Sequence, residues 1–374
     1  MSGELHRFKV GRRAQDPSIE NYRRVRKRNV RILTVAAVIT AFVAWLSLGV
    51  NQYPMSLWKI MGIIFDSITG VSLDTPLAVT ENMVVFDWYI PRAIGNVTIG
   101  AILAMGGAVM QSIIRNPLAD SYTTGISSGA LLGATLFVVA GFSFGGLSDE
   151  SGMIVNAFVF SLIPCAVIVV ISRFRNVSSN MIVFIGMAVM LLFSAVTTML
   201  NYAALPDQLN EVYRWSIGSM NGIDPDSVFL LVPTCIIMTV VCSLFAERIN
   251  VMGAGDAFSK TVGLKGSRLR ILMMVLVSAC TAVCVSFSGT IGFVGLVVPN
   301  VMRMFVGSDN RILIPASAIA GAMLMIIADC IARMLTTGGL PVGLVTSLIG
   351  GPAMIYILIN QKKDAWNRGR RHGD

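Results

Sequence analysis

Ten apolar stretches, at 31–50, 93–114, 125–141, 153–171, 181–200, 227–245, 271–287, 291–305, 312–335 and 343–360, follow one another along the 374 residues with almost no charge inside them. A helix needs about 20 apolar residues to cross a bilayer, and fewer where it is broken or buried among neighbours. Each stretch is therefore read as a membrane span. Hydrophobic residues make up 55% of the chain and charged residues 13%, against roughly a quarter charged in soluble domains. So much apolar surface has no place in a soluble core, and the expectation is an all-α integral membrane protein of ten transmembrane helices.

Basic residues orient such a bundle, because short loops rich in Lys and Arg resist translocation. The first 31 residues carry ten of them, including Arg23, Arg24, Arg26, Lys27 and Arg28, and the stretch after Asn360 carries five more. With the N-terminus inside, ten spans return the C-terminus to the same side. The segments then left outside, 51–92, 142–152 and 201–226, hold Lys59, Arg92 and Arg214 against ten acids. Both ends are expected in the cytoplasm of a multi-pass plasma membrane protein, with basic tails at 1–30 and 361–374 around a ten-helix membrane domain at 31–360. No cleavable signal is expected, and the first span stays as an anchor. The net charge of +9 raises nucleic acid as a partner, but the cations sit in short segments beside spans and read as topology anchors that also meet anionic lipid.

Two polar breaks interrupt the apolar pattern. The first, 115–122, contains Asn116 and Pro117, and Pro117 leaves backbone groups unpaired, which at membrane depth requires cover by protein or a watery cavity. Gly125, Gly129 and Gly133 follow at four-residue intervals, a smooth face for another helix, and Gly100, Ala104, Gly107 and Ala108 do the same in the preceding span. The second break is expected over 289–300, from Gly289 to Pro299 and Asn300, with Pro299-Asn300 as its moving segment. Gly100, Gly106 and Gln111 align with Gly289, Gly295 and Asn300 at a constant offset, a hint of a duplicated unit of the kind transporters use. At 54–65 the residues Leu57, Trp58, Met61, Ile64 and Phe65 share one helical face, as in a helix lying in the interface. The longest internal loop, 246–270, suits a short amphipathic helix begun by Asp256, bearing Ala257, Phe258 and Val262 and stopped at Gly263, with Ser267 capping the next helix.

Catalytic groups are scarce. Neither His6 nor His372 lies in a span, no carboxylates pair at helical spacing, and no nucleophile has a base beside it. All six cysteines lie within spans, and Cys280 with Cys284 on one face lacks the further ligands a metal site requires. The string from Gly253 to Phe258 and the triplet Ser259-Lys260-Thr261 resemble phosphate-binding signatures, but no strand leads into them. The clear charge pair within a span is Asp329 with Arg333, at i, i+4. Gradient-driven carriers keep coupling charges in the membrane, so transport by this chain points to energy from a partner. The alternatives are an ion-driven secondary carrier, and a membrane enzyme or receptor.

Several motifs carry a resemblance. Pro91-Arg92, then Gln111 and Arg115-Asn116-Pro117-Leu118-Ala119-Asp120 through Gly129, then Trp215-Ser216-Ile217-Gly218-Ser219, Gly255-Asp256-Ala257, the run from Gly292 to Pro299, the run from Ala328 to Arg333 and Leu340-Pro341-Val342-Gly343 resemble, in order, the permeases of binding-protein-dependent ABC importers for iron chelates, haem and vitamin B12. The resemblance implies the type II importer permease fold and a function in moving a ferric siderophore or related metal chelate inward. It implies a second permease subunit, identical or homologous, two cytoplasmic ATPase subunits that bind the ATP and Mg, an extracytoplasmic substrate-binding protein, and no cofactor on this chain. It assigns Ala254, Gly255, Asp256, Ala257, Phe258 and Gly263 to ATPase coupling and Arg92 and Arg333 to docking of the binding protein. Gln111, Asn116, Pro117, Pro299 and Asn300 fall to the translocation path and its gate. The chain departs from the family at Tyr89, Asn300 and Gly339, where arginine, histidine and glutamate are common.

Overall fold

The computed structural model describes residues 17–371 apart from 52, 54, 71–74, 175–177, 337 and 338. Residues 1–16 of the basic tail, His6, His372 and Pro54 therefore lie outside the described residues. The chain folds as α1 (Pro17–Ser47), α2 (Leu57–Thr69), α3 (Pro76–Met83), α4 (Ile90–Ile114), α5 (Ile126–Ala140), α6 (Glu150–Phe174), α7 (Ser179–Tyr202), α8 (Pro206–Ser216), α9 (Pro225–Gly253), α10 (Asp256–Thr261), α11 (Gly266–Ser288), α12 (Val294–Val306), α13 (Asn310–Leu335) and α14 (Val342–Arg371). Each expected span is a helix. Eight are long and apolar enough to cross a membrane. The other two, α5 and α12, have 15 and 13 residues, about 22 and 20 Å at a rise of 1.5 Å per residue, because each begins after a break in the chain.

Two boundaries differ from the expectation. The segment before residue 93 is helical instead of a loop: Thr75 caps α3, Pro76 opens it, and a π-helical turn at Val84–Tyr89 carries it into α4, so that Pro76–Ile114 is one apolar helix of 39 residues. The loop at 246–270 is largely helical, and α11 starts at Gly266 with Lys265 at its N-cap position, so Ser267 caps nothing. In α2, Ile60 is the buried residue while Trp58 and Phe65 of the expected apolar face stand exposed.

Hydrogen bonds between distant residues define the two ends of the bundle. Asn29 in α1 donates to the Val306 carbonyl at the end of α12 (3.2 Å), and Arg270 in α11 donates to the Ile113 carbonyl at the end of α4 (3.1 Å). At the opposite end Arg333 in α13 donates to Asn51 beyond α1 (2.7 Å), and the Gly343 amide at the start of α14 donates to the Gly218 carbonyl (3.1 Å). From there α14 runs beside α12, where Val297, Met354 and Ile357 pack together. The start of α1 and the later part of α14 thus belong to the end that bears α10, and α2 and the Arg92 end of α4 to the other.

Helix α4 is the axis. All its residues from 98 to 111 are buried, against α13, α9, α12 and α11. Lipid gives helices no hydrophobic reason to associate, so close backbone approach carries the packing. A β-carbon on Gly107 would fall 1.8 Å from the Gly295 carbonyl oxygen, and one on Gly100 2.4 Å from that of Gly321. Gly129 and Gly133 meet the Phe160 and Asn156 carbonyls of α6 in the same way, as their spacing predicts. The offset of Gly100, Gly106 and Gln111 from Gly289, Gly295 and Asn300 has no such counterpart, since Gly100 lies within α4 whereas Gly289, at φ 68°, ends α11.

Candidate functional site

At the end shared by the start of α1, Gly255 (φ 120°) and Gly263 (φ 78°) bracket the six-residue α10. Those backbone angles disfavour side chains, which explains glycine at both positions. Ser259 is buried, with its hydroxyl 2.9 Å from the Gly255 carbonyl. Ala254, Ala257, Phe258, Val262 and Gly263 form the exposed face, with Phe258 and Val262 each more than half exposed. Four of the six residues expected to couple to an ATPase thus lie on one exposed face, and a fifth, Gly255, opens the helix that carries it. The sixth, Asp256, is turned to the bundle, where its carboxylate accepts from Arg115 (3.0 Å) and Arg270 (2.7 Å). The phosphate-like strings fall across the end of α9 and α10, with no strand before them among the described residues.

Next to this projection lie the residues expected to form the path and its gate. Arg115, at φ 57°, closes α4, and the Asn116 side chain accepts from the Leu118 amide at 2.9 Å, which turns the chain. The second break lies within the expected 289–300 but at its start, not at Pro299 and Asn300. It is formed by Gly289 and by Phe293 (φ 68°), and α12 continues through Pro299 to Val306. Proline lacks the N–H that would reach the carbonyl four residues back, here that of Gly295. The Gln111 side-chain amide takes that carbonyl instead, at 3.2 Å. Asn300 donates to the Pro117 and Leu296 carbonyls at 2.9 and 2.8 Å. Arg303 then donates to Gln111 at 2.6 Å and to Asn300 at 3.3 Å. Gln111, Pro117, Pro299 and Asn300 are therefore brought into one lattice that joins α4, the first break and α12. Its remaining member, Arg303, was missed in the sequence because it falls two residues inside the end of an apolar stretch. Among the described residues no carboxylate lies within ion-pair distance of it, and it borders a polar cavity of about 410 Å³ with Ser112, Asn250 and Asp309.

At the opposite end the pair Asp329–Arg333 forms at 3.1 Å, and Arg92 adds a second guanidinium at 2.7 Å and Asn96 an amide at 2.8 Å. Asp329 is fully buried, Arg333 keeps 7% of its side chain exposed and Arg92 18%. The cluster retains one positive charge. Arg92 also donates to Asn221, and with Arg333, Tyr53, Trp88 and Tyr89 it borders a cavity of about 650 Å³. Tyr89, which stands where related chains commonly have arginine, thus faces the same space as the two cations. The motif from Trp215 to Ser219 serves packing: Gly289 meets the Trp215 carbonyl, Gly343 that of Ile217, and the Ser219 amide donates to Ser288 at 2.7 Å. Gly339 takes φ 67°, where a glutamate would be strained. The six cysteines are free thiols, and no cluster of three or more His, Cys, Asp or Glu suited to a metal occurs among the described residues.

Comparison with known proteins places these features in a family. Residues 39–360 match the FecCD transport family. The chain is 31% identical over 342 residues to the molybdate import system permease protein MolB of Haemophilus influenzae, covering 90% of this chain and 96% of that one. It is 35% identical over 279 residues to the hemin transport system permease protein HmuU of Yersinia pestis, covering 73% and 82%. With the cobalamin import system permease protein BtuC of Halobacterium salinarum it shares 35% over 280 residues, covering 75% and 74%. A solved inward-facing structure assigned to the metal-chelate type of ABC transporter superposes with a TM-score of 0.76 at 27% identity, over 88% of this chain and 99% of that one. With the family model matched over 39–360 and relatives and a solved permease matched over most of its length, the chain belongs to the FecCD transport family and is a multi-pass plasma membrane permease of an ABC importer, not an enzyme.

Proposed function

We propose that this permease carries a metal chelate, of the ferric siderophore class, into the cytoplasm. The observation that supports this reading is the structural likeness to a metal-chelate type transporter along the whole of that chain. The cavity at the Arg92 end agrees with it: one surplus positive charge beside Tyr53, Trp88 and Tyr89 suits an anionic, ring-bearing chelate. Haem and vitamin B12 are the other cargoes that the same machinery would take.

In this reading the ten helices span the membrane, both chain ends and α10 are cytoplasmic, and α2 lies at the outer surface. Two ATPase subunits bind ATP and Mg and receive the exposed face of α10, including Phe258. A second permease subunit, identical or homologous, completes the pathway. Acidic side chains of a substrate-binding protein meet the Arg92–Arg333 cluster, with Arg92 as the accessible contact and Arg333 adding charge behind it. Closure of the ATPases pulls on α10, and the breaks around Asn116-Pro117 and 289–293 absorb the movement while the Gln111–Asn300–Arg303 lattice opens and closes the inner side.

Reconstitution in vesicles tests this. Uptake of a ferric siderophore should require the binding protein, both ATPases and ATP, should exceed that of haem, vitamin B12 and molybdate, and should survive collapse of proton and sodium gradients. Preference for another of those cargoes would replace the siderophore assignment, and dependence on a gradient would remove ATP as the energy source. A cysteine at Phe258 should crosslink to the ATPase.

A further inference from the structure

The Asp256 side chain is partly exposed, but both of its carboxylate oxygens are engaged by arginines of the bundle. Its Oδ1 accepts from Arg270 Nη2 at 2.7 Å and its Oδ2 from Arg115 Nη2 at 3.0 Å. Arg270 is 5% exposed at the start of α11, and its Nε donates to the Ile113 carbonyl in the last turn of α4 at 3.1 Å. Arg115 is the residue that ends α4. Helix α10 otherwise packs on α9 and α11, so this one carboxylate ties it to the end of α4. We propose that Asp256 is a positioning residue that transmits displacement of α10 to α4 and from there to both breaks, instead of an ATPase contact; the proposal rests on the reading of α10 as the ATPase-facing element.

The physical case has three parts. Charge-assisted bonds to guanidinium are directional as well as strong, so they hold orientation under load. A buried Arg270 left without its carboxylate is costly, and moving with Asp256 is the cheaper course. The Arg115 pair is more exposed, 38% and 46% for its two side chains, and adds less by itself. On the far side of the tie, Gln111 stands one turn before Arg115 and holds the carbonyl that Pro299 frees, while Asn300 holds Pro117. A shift in the last turn of α4 therefore reaches the path residues through hydrogen bonds already in place.

The test uses the full assembly in vesicles and two readouts that need no cargo. One is the yield of the crosslink between Phe258→Cys and the ATPase. The other is the ATP-dependent change in labelling of Ala119→Cys, a buried position in the first break, by a water-soluble maleimide quantified at that site. Asp256→Asn should retain the crosslink and reduce the ATP-dependent change at least tenfold, Asp256→Glu should restore at least half of it, and Arg115→Gln should fall between. A labelling change in Asp256→Asn equal to that of the unsubstituted protein overturns the proposal, as does the absence of any ATP-dependent change without the substitution. Loss of the crosslink in Asp256→Asn also overturns it, by making Asp256 a docking contact. If Phe258→Cys alone fails to crosslink, the reading of α10 as the ATPase contact fails, while the labelling change still judges the tie. Should Asp256→Asn not fold, Arg115→Gln decides: a labelling change undiminished there counts against the link.

Discussion

Asp329 shows how much of a site one residue can organise, and how little of that a linear pattern reveals. Its spacing from Arg333 was legible as an i, i+4 pair, but Arg92 and Asn96, which add four of its contacts, come from more than 230 positions away. Replacing Asp329 by Asn leaves two buried or half-buried guanidinium groups without their carboxylate. Removing one partner of a buried pair costs about 3–5 kcal/mol, and thermal melting in detergent should register a loss of that order. Glycine positions separate in the same way. Gly107→Ala forces a β-carbon to 1.8 Å from a carbonyl, and its destabilisation should reach or exceed the upper end of the roughly 1–3 kcal/mol of an overpacked core. Gly62→Ala in α2 meets nothing within 4 Å and should be neutral or raise stability by about 0.5–1 kcal/mol, measured in the same assay.

At the scale of elements, a proline was misread for a reason that sequence hides. Pro299 looked like part of the second break, which was read over 289–300, because its ring removes a helical hydrogen bond, yet Gln111 from α4 supplies the missing donor and α12 runs on. The real break at 289–293 rests on a glycine and on Phe293, a residue type that gives no warning of a left-handed backbone. Asn300 then joins the elements rather than interrupting one. Asn300→Leu should remove its bonds to Pro117 and Leu296 and raise maleimide labelling of Ala119→Cys in the absence of nucleotide; labelling as slow as without the substitution would count against a latch. The turn before α13 carries a pH effect. Burial pushes the Asp309 carboxyl up, but hydrogen bonds from Arg311 and Asn250 outweigh it and hold the group below its ordinary 3.8. A depressed value adds stability that is present above pH 3.8 and lost as pH falls through the folded value. The melting temperature of the protein should therefore exceed that of Asp309→Asn near pH 6, and the gap should narrow as the pH falls below 3.8.

At the scale of the molecule, the proposed docking of a binding protein falls on the cluster as a whole, so its members should differ in what they affect. Arg92→Gln, at the accessible edge, should weaken association with the binding protein and flatten its dependence on salt, since exposed charges act mainly on encounter and are screened. Arg333→Gln should act on melting more than on association; equal association in Arg92→Gln and the unsubstituted protein at low salt would remove that end from the docking surface. The helical class, the ten apolar elements, the small residues at α5 and α4 and the exposed face of α10 were written in composition and spacing, because the bilayer demands apolar length and close packing demands glycine wherever the chain goes. Which end of Asp256 faces inward, which carbonyl Gln111 completes and which arginines share Asp329 were decided by the folded bundle alone, because a hydrogen bond depends on distance in space and its two partners here stand up to 237 positions apart in the chain.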